Sequence, residues 1–144
     1  MKPSLKVGNV AAVEATVTRD MCPAFDEVVV HDVYSTWSMA HHMELAARKV
    51  LVDHLEPHEE GIGRRLEIEH VAPTPVGKNI RAVATATEVT AKGVICKVEV
   101  FDGDRLVGRG LQEQRVLPKE ILQKMIQRHR AVSSNSNNPE ALNE

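Results

Sequence analysis

The sequence predicts an α+β fold in which one long helix packs on a curved antiparallel sheet. Three observations lead to this prediction. The run from Thr36 to Leu55 repeats its apolar residues at helical spacing. From about Arg64 onward the apolar residues alternate with polar ones, as in half-buried strands. The linkers between these later segments are too short to hold a helix, so the strands that they join must run antiparallel.

The first half of the chain contains one strand and the long helix. "VAAVEATVT", Val10 to Thr18, alternates apolar and polar residues and predicts the first strand. "DEVVVHDVY" is rich in β-branched residues and predicts a short extended piece. The helix follows in "STWSMAHHMELAARKVLVDHLEP", where Ser35 or Thr36 can serve as N-cap and Pro57 ends the run.

The second half of the chain predicts four long strands. They span approximately Arg64–Val71, Asn79–Thr90, Val94–Phe101 and Arg105–Leu117. The linkers are "PTPVGK", "AKG" and "DGD", and the last is a strong hairpin signal. In the second of these strands Ala82, Ala84 and Ala86 share one face, and such small residues would let a helix approach closely. The arrangement that fits this order is the hotdog fold, in which the sheet wraps around the central helix.

The C-terminal part of the chain predicts a short helix and a tail. "PKEILQKMIQRH" predicts the helix, with Pro118 near its first turn. From Ala131 the sequence is polar and low in complexity, which predicts disorder. The expected organisation is therefore a single hotdog domain over residues 1–130 and a disordered polar tail over residues 131–144.

Composition and charge exclude several classes of function. Of the residues, 42% are hydrophobic, which is enough for a real core. The formal charge of -2 argues against nucleic-acid binding through phosphate neutralisation. The N-terminus lacks the unbroken apolar stretch of a signal peptide, and no run approaches the ~20 apolar residues of a membrane span. We expect a cytoplasmic protein without nucleic-acid or membrane partners.

Two polar residues fall where apolar ones are expected. On a helical wheel Glu44 lies within the apolar arc, between Leu51 and Leu55. His70 shares a strand face with Leu66 and Ile68. A Glu–His pair beside an apolar pocket can activate water or carry a covalent intermediate. Two simpler interpretations stay open: Glu44 can pair with Arg48 at the helix rim, and His70 can be satisfied by a backbone carbonyl.

Other residues give weaker signals. The histidines His31, His41, His42, His54 and His58 invite a metal interpretation, but His41 and His42 point away from the apolar arc of the wheel. We therefore expect neither a metal nor a cofactor. Cys96 shares its face with valines and is expected to be buried, whereas the polar loop around Cys22 allows exposure. Two cysteines make neither a disulfide framework nor a CxxC site.

The segment from Val33 to Leu117 resembles the hotdog-fold thioesterases of the fluoroacetyl-CoA thioesterase type. The shared pattern is a Thr, a Glu eight residues later on the central helix, a Leu-Glu-Pro helix exit, a Gly, and a His followed by "AxTPxG". In this chain these positions are Thr36, Glu44, "HLEP", Gly63, and His70 with "VAPTPVG".

The resemblance implies a homodimer, with a tetramer left open, that hydrolyses a short acyl thioester of coenzyme A in sites at the subunit interface. Glu44 would be the general base or the acyl-accepting carboxylate, and His70 its acid/base partner. Thr36 would orient the carbonyl or assist the carboxylate. Gly63 would lie beside the acyl group, and Tyr34 and Trp37, which flank Thr36, are the other candidate substrate-binding residues.

The chain also departs from the family pattern. Trp37 and His42 stand where smaller or apolar residues are expected in the fluoroacetyl-specific enzyme. The family often ends its last strand with "GTHER", whereas this chain has "GLQEQR", with Gln114 in place of the Arg and Arg115 one step later, on the opposite strand face. These departures argue against fluoroacetyl-CoA as the substrate. A non-catalytic hotdog module that binds acyl-CoA or a small ligand is the alternative, and a hydratase is a third possibility that the motif does not resemble.

Overall fold

The computed structural model describes residues 1–135 and contains the long helix and the four long strands that the sequence predicts. The elements are, in chain order, β1 (Val10–Thr16), a 3₁₀ turn (Arg19–Met21), β2 (Ala24–Phe25), β3 (Val28–Val29), α1 (Thr36–Val52), β4 (Glu59–His70), β5 (Asn79–Thr90), β6 (Gly93–Asp102), β7 (Arg105–Pro118) and α2 (Lys119–Asn135). β3 lies within "DEVVVHDVY", where a short extended piece is expected, and it pairs with β2, which precedes that segment and which the sequence pattern does not predict.

The main sheet has the strand order β1-β5-β6-β7-β4, and all of its neighbours are antiparallel. The β6–β7 hairpin turns at "DGD", where Gly103 has a φ of 59°, a left-handed conformation that suits glycine. β1 and β4 are the two edge strands. The twelve-residue strand β4 carries His70 at its end, so one edge of the sheet leads directly to the candidate site.

The helix α1 lies on the inner face of this sheet and forms the core with it. Ser35 is the N-cap, and its side chain accepts a hydrogen bond from the Ser38 backbone N–H at 3.1 Å. The alanine face of β5 is at most 1% exposed, which confirms that these small residues pack inside. The hotdog prediction of a curved sheet around one central helix is thereby confirmed.

The structure corrects two expectations outside the site. The C-terminal helix α2 continues to Asn135, past the expected end of the domain at residue 130, and residues 136–144 of the expected tail lie outside the described part of the chain. Cys22 is buried at 2% exposure, with its thiol 3.7 Å from the Thr18 carbonyl oxygen. Cys96 is buried as expected, and burial raises the pKa of its thiol to about 11.

Over residues 1–135 no helix has the length and apolar character needed to cross a membrane.

Candidate active site

His70 and Thr36 meet at the start of α1. The side chains of Leu66, Ile68 and His70 are half-buried, whereas their neighbours in the sequence are exposed, which confirms the predicted strand face. The Nδ1 atom of His70 lies 3.0 Å from the Thr36 hydroxyl oxygen. Within residues 1–135 the other ring nitrogen, Nε2, is buried and has no hydrogen-bond partner. An unpaired buried imidazole nitrogen is costly, and this one is free to form a hydrogen bond with a group that enters the cleft.

The protonation state of His70 suits proton transfer. Burial lowers the pKa of His70, and the nearby Ala72 backbone opposes this effect in part. The imidazole is therefore neutral at pH 7 and able to accept a proton. The cleft beside it has a volume of about 320 Å³ and is lined by Val33, Thr36, His70, Val71, Ala72 and Pro73.

The "PTPVG" turn holds this cleft together. Its Thr74 carbonyl accepts a hydrogen bond from the Tyr34 backbone N–H at 2.8 Å, and Val33 and Pro75 form an isolated β-bridge. Gly77 has a φ of 89° and closes the turn in a conformation that suits glycine. The turn therefore ties the segment before α1 to the end of β4, and this connection brings Thr36 to His70.

Glu44 lies elsewhere on α1, and the structure corrects its predicted environment. The side chain is exposed, so it is not on the buried stripe that the helical wheel indicated. The alternative pairing with Arg48 is also wrong, since the Arg48 guanidinium lies 2.9 Å from the Glu60 carboxylate and 3.2 Å from the Gly61 carbonyl. Among residues 1–135 the Glu44 carboxylate has no hydrogen-bond or ion-pair partner.

Gly63 lies directly against Glu44. A Cβ atom at Gly63 would collide with the Glu44 carboxylate, whose carbon would be 3.0 Å away. The register of β4 with β7 shifts between Gly63 and Arg65, which marks a bulge at this point. A cleft of about 220 Å³ opens here and is lined by Glu44, Gly63, Arg64, Arg65, Leu66 and Gln112.

The predicted catalytic residues are thus divided between two clefts in one chain. Thr36 and Glu44 are eight residues apart on the same helix, which corresponds to a rise of ~12 Å. The structure brings Thr36 to His70 and Glu44 to Gly63, but no described hydrogen bond connects the two pairs.

Tyr34 and Trp37, the other candidate substrate-binding residues, differ in exposure. Tyr34 is fully buried, and its hydroxyl lies 2.6 Å from Nδ1 of His42. Its ring meets His70 edge-on, with the ring centres 6.2 Å apart. Burial raises the pKa of the Tyr34 phenol, so the hydroxyl stays protonated. Trp37 is 48% exposed and packs edge-on against Phe25 at 5.6 Å.

His42 does not point away from the core as the wheel indicated. It is 7% exposed, and burial and the neighbouring His41 lower its pKa. Its ring stacks on Tyr34 with the ring centres 5.7 Å apart. Within residues 1–135 no three His, Cys, Asp or Glu side chains are grouped in a way that could hold a metal ion.

Comparison with known proteins places this chain in a family. The family model of the fluoroacetyl-CoA-specific thioesterases, FlK, matches residues 17–120. The chain belongs to this family. The match includes β4 to β7 and all of α1, and with them both clefts.

Individual relatives of this thioester hydrolase family agree with the assignment. A fluoroacetyl-CoA thioesterase of Streptantibioticus cattleyicolor is 29% identical over 89 residues, which are 62% of this chain and 64% of that protein. The chain thus spans slightly less than two thirds of this curated relative. A hypothetical protein of Thermus thermophilus, a thioesterase superfamily member, is 36% identical with a TM-score of 0.89, over 94% of this chain and 99% of that one.

Two further solved structures are less similar to this chain in sequence, and they support the fold alone. A mutant of the fluoroacetyl-CoA-specific thioesterase FlK is 24% identical with a TM-score of 0.79, over 89% of this chain and 99% of that chain. A hot-dog-like protein from Thermanaerovibrio acidaminovorans is 22% identical with a TM-score of 0.79, over 89% and 93% of the two chains.

The structure also locates the residues at which this member of the thioesterase family departs from the motif. Gln114 is 2% exposed and points to the inner face of β7, whereas Arg115 is partly exposed on the opposite face. The expected reversal of the strand face is therefore confirmed, and Arg115 does not take the place of Gln114.

Sequence reasoning missed Gln112, which is 1% exposed and lines the cleft of Glu44. The signal that could have found it is the two-residue period of β7. That period sets Gln112 in step with Gly108 and Gly110, against which Met39 and Met43 of α1 pack.

Proposed function

We propose that this protein is an acyl-CoA thioesterase that hydrolyses a short or small acyl thioester of coenzyme A at a site formed between two subunits. The observation that carries this proposal is the neutral, half-buried His70, which Thr36 holds beside an open cleft. Glu44, on the same helix as Thr36, adds a carboxylate that has no partner within residues 1–135. Family membership supports the reaction class.

The geometry of β4 supports a homodimer. β4 is an edge strand, so the backbone groups on its outer side are available to a second copy. Antiparallel pairing of two copies centred between Leu66 and Glu67 would set Gly63 opposite His70 of the partner subunit. Glu44 and Gly63 of one subunit would then approach the partner subunit's Thr36 and His70, which joins the two clefts that one chain keeps ~12 Å apart.

The proposed chemistry uses a carboxylate and an imidazole. Glu44 acts as general base on a water molecule or accepts the acyl group itself, and attack on the thioester carbonyl forms a tetrahedral intermediate. When this intermediate collapses, the C–S bond breaks and the electron pair leaves on sulfur. In the water route Glu44 takes the proton of the attacking water, and His70 relays it to the departing thiolate. If Glu44 accepts the acyl group instead, the C–S bond breaks as the anhydride forms, and a water molecule deprotonated by His70 then hydrolyses that anhydride and releases Glu44. By either route the products are a carboxylic acid and the CoA thiol.

The start of α1 is suited to stabilise the oxyanion of the intermediate. The first N–H groups of a helix have no intrahelical acceptor, and the helix dipole favours negative charge there. Ser35 caps the N–H of Ser38, and within residues 1–135 the N–H groups of Thr36 and Trp37 have no hydrogen-bond acceptor. A carbonyl oxygen seated beside Thr36 could receive these hydrogen bonds.

The test is a thiol-release assay with acetyl-CoA, isobutyryl-CoA and benzoyl-CoA, combined with light scattering for the oligomeric state. We expect turnover of at least one ester by a dimer, and a loss of ~100-fold or more in Glu44→Gln and His70→Ala. Glu14→Gln is the matched control, because this exposed carboxylate lies on β1, away from both clefts. Full activity of Glu44→Gln would refute the proposed site.

One observation favours the alternative of a non-catalytic module. Gln114 supplies a neutral amide where the family often has an arginine, so the charge next to the Glu44 cleft differs. This alternative predicts saturable binding of the three CoA esters by calorimetry without release of thiol, and an affinity change alone in Glu44→Gln.

A further inference from the structure

Two glutamines lie side by side under the Glu44 cleft. Gln112 and Gln114 are 1% and 2% exposed on the inner face of β7. Buried amides are costly unless their hydrogen bonds are made, so their presence in an apolar core calls for a physical reason. Neither residue belongs to the catalytic motif of Thr36, Glu44 and His70.

The hydrogen bonds of the two amides fix their orientation. Nε2 of Gln114 donates to Oε1 of Gln112 at 3.1 Å, and Nε2 of Gln112 donates to the Glu113 backbone carbonyl at 3.2 Å. Each amide nitrogen carries two hydrogens. Because Oε1 of Gln112 is held by Gln114, the Gln112 nitrogen must face the cleft side, and one of its hydrogens remains available.

This nitrogen lies close to the Glu44 carboxylate. A Cβ atom at Gly63 would be 3.4 Å from Nε2 of Gln112 and would collide with Glu44, so Gly63 stands between the two groups. The absence of a side chain at Gly63 leaves the space between the amide and the carboxylate open. A small movement of the exposed Glu44 side chain can therefore bring it within hydrogen-bonding distance of Gln112.

The cations near the cleft are engaged with other carboxylates. Arg48 pairs with Glu60 at 2.9 Å, Arg64 with Glu113 at 2.7 Å, and Arg65 with Glu67 at 3.0 Å. These arginines are the positively charged side chains that line the cleft or stand one helical turn from Glu44. Of the donors around the cleft, the Gln112 amide is buried, has a free hydrogen and carries no charge that another carboxylate already pairs with.

We propose that Gln112 positions the Glu44 carboxylate for catalysis by donating its second amide hydrogen to it, with Gln114 holding the Gln112 amide in the required orientation. This inference rests on the proposed function, because it assigns a role to the residue that supports Glu44. Gln112 is a positioning residue, which acts on the substrate through Glu44. A neutral donor fixes the carboxylate without a buried cation, which would require its own counter-charge.

The test compares Gln112→Met with Gln114→Met in the full-length protein, using whichever of the three CoA esters is turned over fastest. Both substitutions remove a buried amide from the same face of the same strand, so their effects on stability should be similar. Measurements are kcat and KM separately, the pH profile of kcat/KM, and the melting temperature.

For Gln112→Met we expect kcat to fall about 10- to 100-fold, the range for loss of one hydrogen bond to a charged group, with KM changed less than about threefold. The acidic limb of the pH profile should move to higher pH, because the lost hydrogen bond favoured the charged carboxylate. For Gln114→Met we expect a smaller fall in kcat, about 3- to 10-fold, since the Gln112 amide remains but loses the hydrogen bond that orients it.

The inference is overturned if Gln112→Met keeps its kcat and its acidic limb, or if both variants lose kcat equally without a shift of that limb. If Gln112→Met fails to fold, Gln112→Leu also removes the donor without adding a charge beside Glu44, and it must show the same shift. Glu44→Gln separates the two proposals: if this variant is fully active, the proposed function fails. If it is inactive while Gln112→Met behaves as wild type, the role of Gln112 alone fails.

Discussion

Gly63→Ala is expected to reduce activity while leaving the fold intact. The added Cβ would lie 3.0 Å from the carboxylate carbon of Glu44, and carbon atoms pack best at about 3.5–4.0 Å. The nearest atom to the added Cβ is the Oε1 atom of Glu44, which it would overlap, so this exposed side chain must retreat by ~1 Å or more to relieve the clash. A misplacement of ~1 Å at a catalytic group can cost ~100-fold in rate, so we expect kcat to fall about 10- to 100-fold.

The stability of this variant should stay near that of the wild type. Gly63 is exposed and does not need a left-handed backbone conformation. Alanine in an extended segment is favoured over glycine by roughly 0.5–1 kcal/mol, which offsets the small rearrangement of Glu44. Urea unfolding followed by circular dichroism measures this difference.

Gly61→Ala is the matched control on the same strand. Its Cβ would lie 2.7 Å from the Leu51 side chain in the buried core, whereas Glu44 is not among its nearest neighbours. Overpacking of this kind costs about 1–3 kcal/mol, so this variant should lose stability and keep its kcat at temperatures where it is folded. Full activity of Gly63→Ala, or an equal loss of stability in both variants, would refute the reasoning.

Three further outcomes follow from buried polar groups. Tyr34→Phe leaves Nδ1 of buried His42 without its 2.6 Å partner and should cost about 1–3 kcal/mol in urea unfolding; an unchanged midpoint would contradict this. Burial lowers the pKa of both His42 and His70 in the folded state, so the unfolded chain binds more protons below its ordinary histidine pKa of 6.5. Stability should therefore be retained above that pH and fall below it, and His42→Gln should weaken the fall. Gln114→Arg sets a second cation near the Arg48 guanidinium at a 2% exposed position and should lower the melting temperature, unless a carboxylate moves in to pair with it.

The main elements could be predicted from sequence because each has a long and regular pattern. α1 and β5 repeat their apolar residues over three or more periods, and β5 begins and ends at the predicted residues. The Thr36–His70 contact could be anticipated only through the family motif, since the two residues are 34 positions apart. What joins them is the "PTPVG" turn, whose hydrogen bond to Tyr34 no periodicity reveals.

The environments of Glu44 and His42 could not be read from a helical wheel. The wheel gives the angle of each side chain but assumes that the core extends equally on all sides of the apolar arc. In this fold the sheet stops at β4, so Glu44 is exposed although its angle lies among apolar residues. His42 is buried because Tyr34, which precedes the helix, covers it and supplies a hydroxyl.

The exposure of Glu44 in one chain is the physical argument for the proposed second subunit. The exposed Glu44 carboxylate has no partner within residues 1–135, the twelve-residue edge strand β4 has an open outer side, and a buried His70 nitrogen has no hydrogen-bond partner. All three border on β4. A second copy paired along β4 would supply backbone partners to the strand and bring Glu44 to the partner subunit's His70, so a single interface would satisfy groups that are unrelated in the sequence.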